Sequence, residues 1–167
     1  MNTMTTYSGR KFDPMQMTPG DVYIEDIAHA LSLLCRGGGQ LTYFYSVGQH
    51  SLNCAAEAKA RGWSKRQQLA CLLHDASEAY MSDVPRPFKQ HLSDYISHEK
   101  TLLDIVYTKY LGSRLDEEEE KKVKEIDDDM LYYDLKILLR GVSEEAPPIM
   151  KTHFSYEVLP FEVVEKR

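Results

Sequence analysis

Three cysteines in 167 residues, Cys35, Cys54 and Cys71, are too few and too scattered for a disulfide framework. No two form a CxxC pair, so a closed thiolate zinc site is not expected either. They read as small buried thiols in a reducing compartment. No apolar run approaches the roughly 18 residues of a membrane span. The first residues, Met1-Asn2-Thr3-Met4, lack the basic and apolar stretches of a secretory signal, and a cytoplasmic location is expected. Positive charge is also short: 20 Lys and Arg against 26 Asp and Glu give a net charge of −6. A broad basic face for polymeric nucleic acid is therefore excluded. A small anionic substrate held by a metal or a few local cations is not.

What is present is helical periodicity. The length suits a single domain, residues 1–167, with an irregular N-terminal arm over 1–20 and a C-terminal tail over 143–167. A first helix is predicted from about Val22 to Arg36, capped by Asp21 and stopped by Gly37-Gly38-Gly39. Leu41–Tyr45 reads as an extended loop. Ser46-x-x-Gln49 and Ser64-x-x-Gln67 are capping boxes for the second and third helices, the third running to about Tyr80. Pro85 and Pro87 enforce a loop. A fourth helix is predicted over about Leu92–Leu111, with Leu92, Ile96, Leu103, Val106 and Tyr110 on one stripe. A fifth runs from about Asp116 to Arg140, and a short helix falls near Pro160–Lys166. The fold class is all-α, a compact helical bundle.

The informative residues are polar ones on inward faces. His50 lies three after Val47 and four before Cys54. His74-Asp75 follows the apolar run Leu69–Leu73 at once. Asp127 lies four after Val123 and three before Met130, which singles it out from Asp128 and Asp129. Buried charges are paired or bind metals. Two imidazoles and two carboxylates interrupting three apolar faces point to one shared divalent cation: zinc, manganese, iron or cobalt. The lack of thiolates favours a site with open positions. Each residue alone has a plainer reading: a hydrogen-bonded core histidine, a chance dipeptide, a solvated acidic run. Their combination on successive helices favours the metal.

The order His50, His74-Asp75, Asp127 resembles the HD superfamily of metal-dependent phosphohydrolases, whose pattern is H…HD…D on an all-helical fold. Tyr45–Ser51 is similar to that family's first-histidine segment. His74-Asp75-Ala76-Ser77-Glu78 and Asp83–Lys89 resemble its small branch that hydrolyses deoxynucleotides. The likeness runs from about Tyr7 to Gly141. It implies that His50, His74, Asp75 and Asp127 hold one divalent ion, with magnesium added to the candidates above. It implies acid–base work for Glu78, with Asp75 serving both metal and catalysis. It implies substrate contacts from Arg36 to phosphate and from Asp83 near the sugar. Lys89, and less directly Arg86, would add charge at the mouth. Glu78, four after His74 and three after Asp75, would share their helix face.

The implied activity is a 5′-nucleotidase releasing phosphate from deoxynucleoside 5′-monophosphates. The alternative is a dNTP triphosphohydrolase, for example on dATP, releasing tripolyphosphate. From a different class comes a regulatory protein that binds metal and nucleotide without turnover. The expected partner is a small nucleotide, with no membrane and no polymeric nucleic acid. Relatives of this kind are often dimers or larger rings, so a homo-oligomer is among the implied states. His29, His91, His98 and His153 read as packing or surface residues, and Tyr43, Phe44, Tyr45 and Tyr80 as core rather than base-stacking groups.

Overall fold

The computed structural model describes residues 2–141 and 146–167. The start of the predicted tail therefore lies outside the described residues. Eight α-helices are present among them: α1 (Ile24–Leu33), α2 (Val47–Ala60), α3 (Lys65–Leu73), α4 (Glu78–Met81), α5 (Arg86–Lys89), α6 (Ser93–Leu111), α7 (Glu117–Leu138) and α8 (Phe161–Glu165). The only strands among the described residues, β1 (Met4–Thr5) and β2 (Lys11–Phe12), form an antiparallel hairpin in the arm. The protein is an all-α bundle, as its periodicity predicts.

Local signals place most helix starts. Ser46 accepts the Gln49 N–H. Ser64 and Gln67 form a two-sided capping box, and so do Asp116 and Glu119. Such caps satisfy amides that have no partner within the helix. Glu117 to Glu120 in the first turn of α7 also suit its positive dipole end.

Several features depart from the sequence reading, and one lies at Pro85 and Pro87, where the predicted loop gives way to the short helix α5 with Pro85 as its N-cap. Asp21 does not cap α1; its carboxylate accepts from Thr18 N and Oγ1 in a preceding 3₁₀ turn. α1 stops at Leu33, not Arg36, because the chain turns back on itself. Arg36 N donates to Tyr45 O at 3.0 Å and Val47 N to Leu34 O at 2.9 Å. α3 stops at Leu73. Residues 74–80 continue through i→i+3 bonds, Ala76 to Leu73, Glu78 to Asp75 and Tyr80 to Ser77. At the predicted start of the fourth stripe, Leu92 and Ile96 are exposed; Val106 is buried as predicted, and α6 also buries Leu102 and Tyr107.

The core gathers α2, α3, α6 and α7 around Cys54, Ala58, Ala70, Cys71, Leu73, Val106, Ile126 and Met130, all at most 2% exposed. α2 packs chiefly on α3. Several of their buried residues are small, Cys54, Ala58, Ala70 and Cys71, which lets the two backbones approach. Full burial of Ile126 and Met130 on α7 stabilises the bundle by about 1.5–3 kcal/mol each. Gly48 lies where α1 and α8 meet α2 closely. A Cβ there would lie 3.2 Å from the Leu31 carbonyl carbon and 3.1 Å from Val164 Cγ1. Helix α8, predicted at Pro160–Lys166, is thus part of the packing.

Candidate metal centre

Three elements deliver the four predicted ligands to one point. His50 lies in the first turn of α2 and is fully buried. His74 and Asp75 occupy the tight turn after α3, and Asp127 lies midway along α7. His50 Nε2 is 3.3 Å from both His74 Nε2 and Asp127 Oδ1, and 3.8 Å from Asp75 Oδ2. His74 Nε2 is 3.3 Å from Asp75 Oδ2 and 3.7 Å from Asp127 Oδ1. Donors bound at about 2.0–2.2 Å to one centre lie roughly 3.3–3.6 Å apart at tetrahedral angles. The observed separations are of that size, so these side chains fit a divalent ion.

Hydrogen bonding directs the imidazoles. His74 Nδ1 lies 2.7 Å from the Cys71 carbonyl oxygen. As a donor there, it leaves the Nε2 lone pair facing the cluster. His50 Nδ1 faces Asp134 Oδ2 at 3.2 Å, within ion-pair range but short of hydrogen-bond alignment. Two ring lone pairs and two carboxylate oxygens converging on one point repel each other unless positive charge joins them. Burial opposes charging His74, but Asp75 and Asp127 prevail and lift it to about 9. Burial would likewise raise Asp127, yet the two histidines hold it well below the usual carboxylate range.

Cys54 also reaches this cluster. Its Sγ is 3.4 Å from His50 Nε2, and His50, Cys54 and His74 form a buried group whose ligand atoms lie within 4.8 Å of one another. That group could hold a metal ion. Burial and then Asp127 push the Cys54 thiol far up. The sequence reading passed over Cys54. Its spacing of four from His50 on an apolar face was the available signal.

Arg36 belongs to the same cluster. Its Nε donates to Asp134 Oδ2 at 3.0 Å and its Nη1 to Asp75 Oδ2 at 3.3 Å, while Nη2 lies 3.8 Å from Asp127 Oδ1. Its placement depends on leaving α1 and on the left-handed glycines that follow. Gly37 and Gly38 have φ of 61° and 62°, a region that favours glycine. Asp83 accepts the Gly37 N–H at 2.8 Å, so it braces this loop. Arg86 reaches across the mouth to Asp127 Oδ2 at 3.1 Å and Asp128 Oδ1 at 2.8 Å. Lys89 donates to Glu99 at 2.6 Å, which engages its ammonium.

Glu78 is 4% exposed, and its Oε2 has no hydrogen-bond partner among the described residues. The i→i+3 turn places it one 3₁₀ turn after Asp75, which sets the two carboxyls on one side. The shared face predicted for Glu78 therefore arises without a continuous α-helix. Burial, then Asp75 and Asp83, push its carboxyl up to about 10, against the smaller pull of Lys89 and Arg36.

Asp134 was missed as well. It is 3% exposed and touches both His50 and Arg36. The signal was there: it lies seven after Asp127 and four after Met130 on the same stripe. The remaining histidines keep their plain roles where contacts are seen. His29 stacks on Tyr7 at 3.6 Å and faces Glu165.

No family model matches the chain. It is 38% identical over 112 residues to the uncharacterized protein YfdR of Escherichia coli strain K12, covering 66% of this chain and 59% of that protein. It is 40% identical over 109 residues to the uncharacterized protein RCAP_rcc00048 of Rhodobacter capsulatus, covering 62% and 55%. The chain thus spans less than two thirds of the length of either relative. No helix among the described residues is long and apolar enough to cross a membrane.

Proposed function

We propose that this chain is a metal-dependent phosphohydrolase of the HD type. Its expected substrates are nucleotides, with deoxynucleoside 5′-monophosphates first. The observation that carries the reading is the convergence of His50, His74, Asp75 and Asp127 at 3.3–3.8 Å, with Glu78 buried nearby and its Oε2 without a hydrogen-bond partner among the described residues.

His50, His74, Asp75 and Asp127 would hold the ion, with Cys54 next to them. A divalent ion, when bound, polarises a phosphoryl oxygen and acidifies water. The protein's own groups supply the rest. Glu78, whose carboxyl is held up by burial and by Asp75, would supply a proton to the departing 5′-oxygen. Proton transfer of this kind contributes typically about 10²–10⁴-fold. Arg36 presents a planar fork suited to non-bridging phosphate oxygens. Its bonds to Asp75 and Asp134 keep that fork at the cluster. Arg86, paired with Asp127 and Asp128, and Lys89, paired with Glu99, would offset the acidic charge near the site.

Purified protein incubated with Mn²⁺ or Co²⁺ and a panel of dNMPs and dNTPs tests the proposal. Orthophosphate from dNMPs is the expected product, abolished together with metal binding in His74→Ala and Asp75→Ala. Tripolyphosphate from dNTPs would identify the triphosphohydrolase instead. Bound metal with neither product would leave the regulatory binding protein. Unchanged metal content in both variants would refute the site.

A further inference from the structure

We propose that Asp134 and Tyr156 are positioning residues for His50, which makes the C-terminal segment a working part of the metal centre. The proposal rests on reading His50 as a metal ligand.

Asp134 sits on α7 between the fully buried Met130 and Leu138. An aliphatic residue there would continue the stripe and avoid burying a charge, which is costly unless the charge is used. Both of its oxygens are used. Oδ2 faces His50 Nδ1 at 3.2 Å and accepts from Arg36 Nε at 3.0 Å. Oδ1 accepts the Tyr156 hydroxyl at 2.9 Å. A carboxylate behind a ligating imidazole fixes its tautomer and ring direction and raises its basicity.

Tyr156 comes from a segment with no helix of its own, yet it is held on both sides. Gln49, the neighbour of His50 on α2, donates through Nε2 to Ser155 O and Glu157 O, both at 3.1 Å. That is why Gln49 does not complete the predicted capping box. The Tyr156 ring stacks on Tyr45 with centroids 5.3 Å apart, and the Tyr45 hydroxyl accepts from Asn53 at 2.8 Å. The chain thus aims one phenol at the outer oxygen of Asp134. Further up the same segment, Glu57 accepts the Lys151 and Thr152 amides, and Tyr133 donates to Pro148 O at 2.7 Å. Those ties anchor the segment without touching Asp134.

The difference between the two kinds of tie is the test. Co²⁺ affinity would be measured by chelator competition for the full chain, Asp134→Asn, Tyr156→Phe and Tyr133→Phe. Asp134→Asn should weaken binding about 10–100-fold, the usual effect of losing such a partner. Tyr156→Phe keeps the ring stack and loses only the hydroxyl, so it should weaken Co²⁺ binding by a smaller factor in the same direction. Tyr133→Phe should lower the melting temperature and leave Co²⁺ affinity unchanged. If Tyr156→Phe and Asp134→Asn bind Co²⁺ as the parent does, the inference is overturned while the metal reading stands. Should Asp134→Asn fail to fold, Tyr156→Phe against Tyr133→Phe still decides. If the parent binds no Co²⁺, the metal reading fails. The His50 ring ¹⁵N shifts then decide the positioning role: unchanged shifts in Asp134→Asn and Tyr156→Phe would overturn it.

Discussion

Replacing Arg36 with Met separates its charge from its packing. The side chain is 14% exposed, and its guanidinium is the cation shared by Asp75, Asp127 and Asp134. Methionine keeps most of the apolar stem and removes the fork. Breaking a buried pair from one side costs about 3–5 kcal/mol, because the remaining charge is stranded. We take about 3 kcal/mol, since Asp127 keeps Arg86 and Asp134 keeps Tyr156. For a chain of this size that lowers the melting temperature of chelator-treated protein by roughly 6–12 °C. A divalent ion held by Asp75 and Asp127 neutralises oxygens that Arg36 also neutralises. The two cations are therefore partly redundant for stability and antagonistic in binding. At 100 times its Kd an ion adds about 2.7 kcal/mol to the parent. At the same free ion concentration it should add more to Arg36→Met, whose site has lost a competing positive charge. The deficit should shrink to about half or less. Differential scanning calorimetry of both proteins, with chelator and with Mn²⁺, reads all four values. An equal deficit in both conditions would refute the shared-oxygen argument, and no deficit in chelator would refute the burial argument.

Glu78→Gln should cut turnover about 10²–10⁴-fold while metal content stays at the parent level, measured by orthophosphate release and by metal analysis of the same sample. The Co²⁺-loaded protein should lack a thiolate-to-cobalt charge-transfer band in the near ultraviolet, since His50, His74, Asp75 and Asp127 offer four donors without Cys54; a band removed by Cys54→Ser would show ligation. Asp26 reports on the N-terminal arm. Burial would raise its carboxyl, but the Ser8 amide, the Thr6 and Ser8 hydroxyls and Arg10 outweigh burial and hold it low. A carboxyl depressed on folding stabilises fully above its unfolded value of about 3.9 and loses that contribution as pH falls through the lower folded value. Amide exchange in the arm should therefore accelerate as pH falls through that window, relative to the α7 core and after correction for intrinsic rates. Asp26→Asn should remove the difference.

Much of this organisation is legible in the residues, and the reasons are local. Ser46, Ser64 and Asp116 stand where helices begin because a side-chain oxygen one turn before an apolar run satisfies free amides, whatever the rest of the chain does. His50 and Asp127 stand out because each interrupts a stripe of known period. Asp134 interrupts the same stripe but falls among Tyr132, Tyr133 and Leu135, where the acidic residue looks like an ordinary surface group. Leu92 and Ile96 mislead in the opposite way, since they keep helical spacing while remaining exposed.

The amino-acid sequence by itself determined the all-α class, the main helices and the presence of two imidazoles and two carboxylates on inward faces. Periodicity and capping act over one or two turns and need no knowledge of neighbours. Tertiary structure alone decided that α1 would end before Arg36, that α3 would tighten into a 3₁₀-like turn at His74, and that Asp134 and Tyr156 would stand behind His50. The last of these joins residues 22 to 106 positions apart. All these outcomes follow from which packed arrangement can satisfy several buried charges at once, a condition that no single stretch of the chain contains.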